Sequence, residues 1–183
     1  MPALFNKLGI SFSYPENWTL DESETVDGDD SVAVYSPGGS FWSVSVHPVG
    51  TEPASLVHAA VKALRETYNE LDEESTEEEL VGHRLVGSDV NFYCLDLTNT
   101  ALVRAFRTTV CTCLVLSQAD DRELAVVGPV FQAMTRSLLA GFANRAPSDF
   151  VVFHDRAGAP DGPLMQDDDD ADDEPPHRHI PPR

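Results

Sequence analysis

Apolar and polar side chains alternate over several short stretches of the chain, which is the spacing of half-buried β-strands. Pro15 ends the first stretch because proline has no amide hydrogen to donate to a sheet. The turn signal Ser36-Pro37-Gly38-Gly39-Ser40 joins the next two stretches into a hairpin. The pattern therefore predicts three strands in the first part of the chain: Leu8 to Tyr14, a strand around Val32 and Val34, and Trp42 to Val46.

Apolar residues recur at steps of three and four in two longer segments, as on the buried face of a helix. The first predicted helix opens at Pro53, and its apolar stripe consists of Val57, Ala60, Val61, Leu64, Tyr68 and Leu71. The second runs from about Leu124 to Gly141, with the stripe Val127, Val130, Phe131, Met134, Leu138 and Phe142. Pro129 is expected in its first turn, where a missing donor costs little.

Between the helices, four apolar runs predict four strands with breaks at Gly82, Gly87 and Asn99. Short connections favour antiparallel pairing. The order is βββ-α-ββββ-α, which predicts an α+β fold: an antiparallel sheet of about seven strands covered by two main helices. The four runs are Leu80 to Val86, Val90 to Leu97, Ala101 to Thr108 and Val110 to Ser117.

The composition changes at Asn144, where proline, glycine, aspartate and arginine replace core residues. We therefore expect one domain over residues 1–143 and an acidic, largely disordered tail over residues 144–183. Within this tail, the run Phe150, Val151, Val152 and Phe153 is the candidate partner-binding segment. Two hypotheses explain it: it docks on the chain's own sheet as an edge strand, or it is offered to a partner. Self-docking is favoured, because a free apolar run invites aggregation.

The net charge of the chain argues against two classes of function, binding to nucleic acid and binding to anionic membranes. The 31 acidic and 12 basic residues give a net charge of −19, and the arginines are scattered singly, so no basic face for nucleic acid can form. Anionic membranes are disfavoured for the same reason. Two acidic windows, Glu16 to Asp30 and Glu66 to Glu79, are interpreted as solvated loops.

Three further observations indicate the cellular compartment. No stretch approaches the roughly 20 apolar residues of a membrane span, and Met1 to Ile10 lacks the features of a signal peptide. Three cysteines are too few for a disulfide framework and suit a reducing environment. We expect a cytoplasmic protein that does not insert into membranes.

The residue pattern gives little support for an enzyme. The candidate side chains follow no recognisable catalytic spacing: His47, His83, Asp96, Cys111 and Cys113. Cys111 and Cys113 would share one face of a strand, where packing is favoured over metal binding because a second ligand pair is missing. No phosphate-binding glycine loop occurs. The sequence predicts no catalytic residue, no metal and no cofactor.

The segment Gly9-Ile10-Ser11-Phe12-Ser13-Tyr14-Pro15-Glu16-Asn17-Trp18 resembles the opening strand and turn of the PsbP/Mog-like superfamily. The order of elements agrees with it over roughly Phe5 to Leu139. The resemblance implies an αβα sandwich and a non-enzymatic protein. Members include Ran-binding nuclear factors, photosystem accessory subunits, bacterial lipoproteins and secretion chaperones. No partner-binding motif of the superfamily matches residue by residue.

Three functions remain open from the sequence. The first is an acidic protein-binding module, an adaptor whose partner presents a basic or apolar surface. The second is a chaperone that shelters apolar peptide segments in a groove on the sheet. The third is a carrier of a lipophilic small ligand, which requires an internal pocket.

Overall fold

The computed structural model describes residues 1–22, 30–68, 70–94 and 96–143, and these residues form nine strands and two helices. Before the first helix lie β1 (Pro2–Lys7), β2 (Ile10–Pro15), β3 (Thr19–Asp21), β4 (Asp30–Tyr35) and β5 (Phe41–Pro48). Helix α1 spans Pro53–Thr67. The remaining elements are β6 (Leu71–Leu80), β7 (His83–Cys94), β8 (Leu97–Arg107), β9 (Cys111–Asp120) and α2 (Asp121–Ala143).

Seven strands form one antiparallel sheet in the order β3-β4-β5-β9-β8-β7-β6, while β1 and β2 form a separate antiparallel ribbon. The predicted α+β class, with an antiparallel sheet covered by two main helices, is confirmed. Successive side chains of a strand point to opposite faces, so the sheet has an α2 face and an α1 face. The segment Phe150 to Phe153 and the rest of the predicted tail lie outside the described residues.

The α2 face carries the larger core. Trp42 is fully buried there, and its ring centroid lies 4.8 Å from that of Phe12 on β2. Trp42 Nε1 donates a hydrogen bond to Thr135 Oγ1 at 3.0 Å, which ties the sheet to α2. The ribbon also meets α2 directly, since the Ser13 amide donates to Ser137 Oγ at 2.9 Å. The α2 face is therefore covered by the ribbon and α2 together.

The α1 face has a smaller core under α1. Val57 and Val61 are the buried residues of the helix. The predicted stripe was too long at its end, because the helix stops at Thr67 and Leu71 begins β6. They pack with strand residues that include Val90, Phe92 and Val103. Tyr68, which follows the helix, stacks on Phe92 with ring centroids 4.1 Å apart. The helices thus cover opposite faces of the sheet.

The acidic window Glu66 to Glu79 was wrongly interpreted as a solvated loop. From Leu71 onward it belongs to β6, a ten-residue strand paired along its whole length with β7. The segment lacks apolar alternation because it is an edge strand, and only Leu80 in it is buried. A two-residue turn, Val81-Gly82, joins it to β7, with both residues at positive φ.

Gly87 and Asn99 were wrongly predicted as breaks, since Gly87 lies inside β7 and Asn99 inside β8. A Cβ built on Gly87 would lie 2.1 Å from the Val103 carbonyl oxygen and 2.8 Å from Arg104 Cδ. Glycine is therefore needed because the neighbouring strand and the Arg104 side chain pass too close for any other residue.

Two strands were not predicted, β1 with one buried side chain, Phe5, and the three-residue β3. Helix α2 begins at Asp121, so Pro129 lies in the helix interior instead of the first turn. The predicted turn at Pro15 is present, with the Trp18 amide donating to the Pro15 carbonyl at 3.0 Å. Trp18 itself is only partly buried, packing edge-on against Phe131.

Contrary to the sequence expectation, α2 is long and apolar enough to cross a membrane by length and composition. Helix α2 nevertheless packs as a core helix with one buried face. Seven of its residues are buried, including Phe131, Leu138 and Leu139. Core helices pass the same test of length and composition, and α2 contacts the sheet and the ribbon.

Candidate functional site

The most strongly charged surface of the described chain is β6, where six of ten residues are acidic: Asp72, Glu73, Glu74, Glu77, Glu78 and Glu79. The strand pairs with β7 on one side and has no strand partner on the other side among the described residues. An edge strand exposes unpaired backbone donors and acceptors. We call this strand with its carboxylates the acidic edge.

Arginines neutralise half of these carboxylates. Arg65 Nη2 lies 2.6 Å from Glu73 Oε2, Arg84 Nε lies 2.6 Å from Glu77 Oε1, and Arg104 Nε lies 2.8 Å from Glu78 Oε1. Asp72, Glu74 and Glu79 have no ion-pair partner within the described ranges. The acidic edge therefore keeps a net negative charge.

The arginine contacts also affect the titration of two carboxyls. Hydrogen bonds from Arg65 and then from Ser88 hold the pKa of Glu73 below its usual value. The hydrogen bond from Arg84 has the same effect on the pKa of Glu77. A lowered pKa favours the ionised form, so both groups remain charged at neutral pH.

A second candidate site is a cavity of about 350 Å³ between α2 and the sheet, which we call the α2 cavity. Three elements of the sheet contribute to its floor, β6, β8 and β9, and α2 forms its wall. Apolar side chains provide most of the lining: Leu80, Leu102, Val115, Pro129 and Phe131. Its polar lining consists of Glu78, Arg104, Ser117, Gln132 and Thr135.

Arg104 is the ionic centre of this region, with only 16% of its side chain exposed. Its Nε donates to Glu78 Oε1, and its Nη1 lies 2.7 Å from Asp89 Oδ1. Nη1 also donates to the Val103 carbonyl at 2.9 Å. Two carboxylates thus surround one guanidinium, which leaves an excess of one negative charge beside the α2 cavity.

The cysteine pair lies in the core of the α2 face. Cys111 Sγ and Cys113 Sγ are 3.8 Å apart, and both residues are buried. Hydrogen bonding from Cys113 holds the pKa of the Cys111 thiol at about 7, although burial opposes the shift. The expected packing role fits this placement, because both thiols are buried. The described residues contain no group of three or more metal-ligating side chains.

The remaining catalytic candidates are not brought together. His47 Nε2 lies 2.9 Å from Ser45 Oγ on the α1 face. The His83 ring packs against Phe106, with centroids 5.9 Å apart, on the opposite face. Asp96 lies in the β7–β8 turn, where its φ is positive. A nucleophile with its base and orienting group is therefore not assembled from these five candidates.

Thiol reactivity gives a first testable prediction. Cys94 is half-buried, whereas Cys111 and Cys113 are almost completely inaccessible. A low pKa favours reaction of Cys111, but a disulfide reagent must also reach the sulfur, so burial should dominate. We expect Ellman's reagent to modify one thiol in the native protein and all three in concentrated guanidinium chloride.

The variant Cys94→Ser provides the control for this experiment. It should abolish the native reaction and leave two thiols that react only after unfolding. Rapid modification of two or more thiols in the native wild-type protein would contradict the burial of the Cys111 and Cys113 pair.

Neither candidate site was predicted from the sequence. The carboxylates of β6 were assigned to a loop, and the α2 cavity combines residues far apart in the chain. One signal was present: Arg104 is the only charged residue in the otherwise apolar run Ala101 to Phe106. A charged side chain in an apolar strand requires a partner, and Glu78 and Asp89 are those partners.

Comparison with known proteins identifies the fold. No known sequence family matches the chain, and no curated protein does. The solution structure of cyanobacterial PsbP (CyanoP) from Synechocystis sp. PCC 6803 is 15% identical with a TM-score of 0.53, over 74% of this chain and 90% of that one. The chain therefore shares the fold of this PsbP structure, as the resemblance of its sequence predicts.

Two further solved structures match the chain at lower similarity. LpqN, involved in cell envelope biogenesis of Mycobacterium tuberculosis, is 13% identical with a TM-score of 0.42, covering 73% of this chain and 86% of that one. PA94, a protein of unknown function from Pseudomonas aeruginosa, is 11% identical with a TM-score of 0.44, covering 75% and 95%.

Proposed function

We propose that the chain is a non-enzymatic protein-binding module whose acidic edge pairs with a basic, extended segment of a partner protein. The observation that carries this proposal is β6 itself, a ten-residue edge strand with six carboxylates. Its partner adds a strand to the sheet, so main-chain hydrogen bonds supply affinity and side-chain charge supplies selectivity.

Charge on an edge strand usually prevents pairing between identical chains. Two copies of β6 repel each other, because each carries six carboxylates against three arginine partners. A basic segment is attracted by the same charges, and opposite charge also accelerates encounter. The acidic edge thus discourages self-association and favours a partner of opposite charge.

The absence of enzymatic activity is part of the proposal. It is supported by the separation of His47, His83, Asp96 and the cysteine pair over both faces and one turn. The unpaired thiols suit a reducing compartment, and we propose a cytoplasmic location without nucleic acid or membrane insertion.

A peptide titration tests the proposal. The probe is a ten-residue peptide that alternates lysine with threonine, added to the full chain in isothermal titration calorimetry. We expect saturable binding that weakens as salt is raised, because surface charges are screened. A peptide of the same sequence with every backbone nitrogen methylated has the same charge but cannot donate along its backbone, and it should bind at least tenfold more weakly.

Matched variants locate the binding surface. Asp72→Asn, Glu74→Gln and Glu79→Gln together remove three charges from the acidic edge without disturbing the arginine contacts. The control, Glu16→Gln, Glu66→Gln and Asp96→Asn, removes the same charge from other exposed positions. Binding should fall in the first variant and change little in the second. Equal losses, or equal binding of the backbone-methylated peptide, would contradict pairing at β6.

A further inference from the structure

The α2 cavity has features of a ligand site that its packing does not explain. Its volume of about 350 Å³ is within the range of about 300 to 1,000 Å³ that is common for small-molecule pockets. It lies between α2 and the sheet, and Glu78 and Leu80 of β6 contribute to its lining. The α2 cavity and the acidic edge therefore share Glu78.

A glycine in the interior of α2 keeps part of this space open. Gly128 lines the cavity, and a Cβ at this position would have Leu124 Cδ1 as its nearest neighbour, at 3.9 Å. That distance is ordinary van der Waals contact, so packing does not require glycine here. Glycine is also disfavoured inside a helix. The absence of a side chain at Gly128 therefore mainly widens the cavity.

A buried hydroxyl group faces the same space. Ser117 is only 3% exposed and lines the cavity, where its hydroxyl group can donate or accept a hydrogen bond. The neighbouring Thr135 hydroxyl is satisfied, since it accepts from Trp42 and donates to the Phe131 carbonyl at 3.0 Å. The hydroxyl group of Ser117 therefore offers a hydrogen-bond acceptor to a ligand in the cavity.

Charge selects among ligands that could fill the cavity. Glu78 and Asp89 together exceed the single positive charge of Arg104, and the whole chain carries −19. A carboxylate or phosphate on the ligand would be repelled, whereas a protonated amine would be attracted. Leu102, Val115 and Phe131 require an apolar body.

We propose that the α2 cavity binds a small apolar amine, whose body lies against Leu102, Val115 and Phe131 and whose ammonium group donates to Ser117. The excess negative charge around Arg104 supplies the preference for a cation. Gly128 leaves room for the ligand, because a larger side chain at this position would occupy the same space.

Three probes of equal shape test the charge preference: 1-naphthylmethylamine, 1-naphthylmethanol and 1-naphthoate. Each is titrated into the full chain and followed by amide chemical shifts in NMR. We expect the amine to bind best, with saturable shifts concentrated in β8, β9 and the first half of α2. The carboxylate should bind at least tenfold more weakly. Equal binding of amine and carboxylate would overturn the proposal.

Variants test the location. Gly128→Leu should abolish binding of the amine by filling the cavity, while Gly128→Ala, whose methyl group fits against Leu124, should retain it. Ser117→Ala removes the hydroxyl group without adding volume and should weaken the amine roughly tenfold, which provides a second test if Gly128→Leu does not fold. Unchanged binding in folded Gly128→Leu, or in Ser117→Ala, would show that the amine binds elsewhere.

Discussion

Replacing Trp42 by alanine should lower the free energy of unfolding by about 4 kcal/mol, within the range for truncating a large core aromatic. Trp42 is fully buried on the α2 face. Its ring contacts Phe12 of the ribbon, and its indole donates to Thr135 of α2. A loss of this size is a large fraction of the roughly 5 to 15 kcal/mol that stabilises most domains. Urea denaturation followed by circular dichroism measures it.

Two variants separate the contribution of the Trp42 hydrogen bond from that of its buried ring. Thr135→Val removes the acceptor and leaves the indole N–H buried without a partner, so it should cost about 1 to 3 kcal/mol. Trp18→Ala removes the other tryptophan, which is only partly buried, and should cost less than Trp42→Ala. A loss below about 1 kcal/mol for Trp42→Ala, far under the roughly 3 to 5 kcal/mol for truncating a core aromatic, would show that Trp42 does not hold the ribbon, the sheet and α2 together.

The second large effect is expected at Gly87, where valine should destabilise the protein by about 3 kcal/mol through overpacking. Any Cβ at this position would meet the Val103 carbonyl oxygen at 2.1 Å, and backbone cannot move aside as a flexible side chain can. The side chain of Arg104 would also be displaced from its contacts with Glu78 and Asp89.

Gly50→Val is the matched control for Gly87→Val. A Cβ at Gly50 would have no atom within 4 Å, so the same chemical change should alter stability by less than about 0.5 kcal/mol, as at ordinary surface sites. The two urea midpoints should therefore differ clearly. Similar midpoints for both variants would contradict the close approach of β7 and β8 at Gly87.

Local patterns were sufficient for elements that bury one regular face. The stripe containing Val57 and Val61 predicted α1, and the alternation from Trp42 to Val46 predicted β5, because burial imposes the periodicity directly. The edge strand β6 buries only Leu80, so its sequence contains no such period. Its strand structure comes from pairing with β7 across the Val81-Gly82 turn. No burial pattern within β6 itself signals this pairing.

Neither candidate site could be assembled from local sequence. The glycine at position 87 resembles a strand break until Arg104 is placed across it, and Gly128 resembles a weak point of a helix until the cavity is known. Arg104, Ser117 and Gly128 come from three elements, β8, β9 and α2. Their proximity follows from the sheet order and the position of α2, which single-residue preferences do not contain.

The most direct test of the proposed function is amide hydrogen exchange of β6, measured by NMR on the full chain with and without the lysine–threonine peptide. Strand addition forms hydrogen bonds at every second residue of an edge strand. The proposal predicts slower exchange of alternate amides between Leu71 and Leu80 when the peptide binds, with β7 amides unchanged. Peptide binding that leaves every β6 amide at its original exchange rate would contradict it.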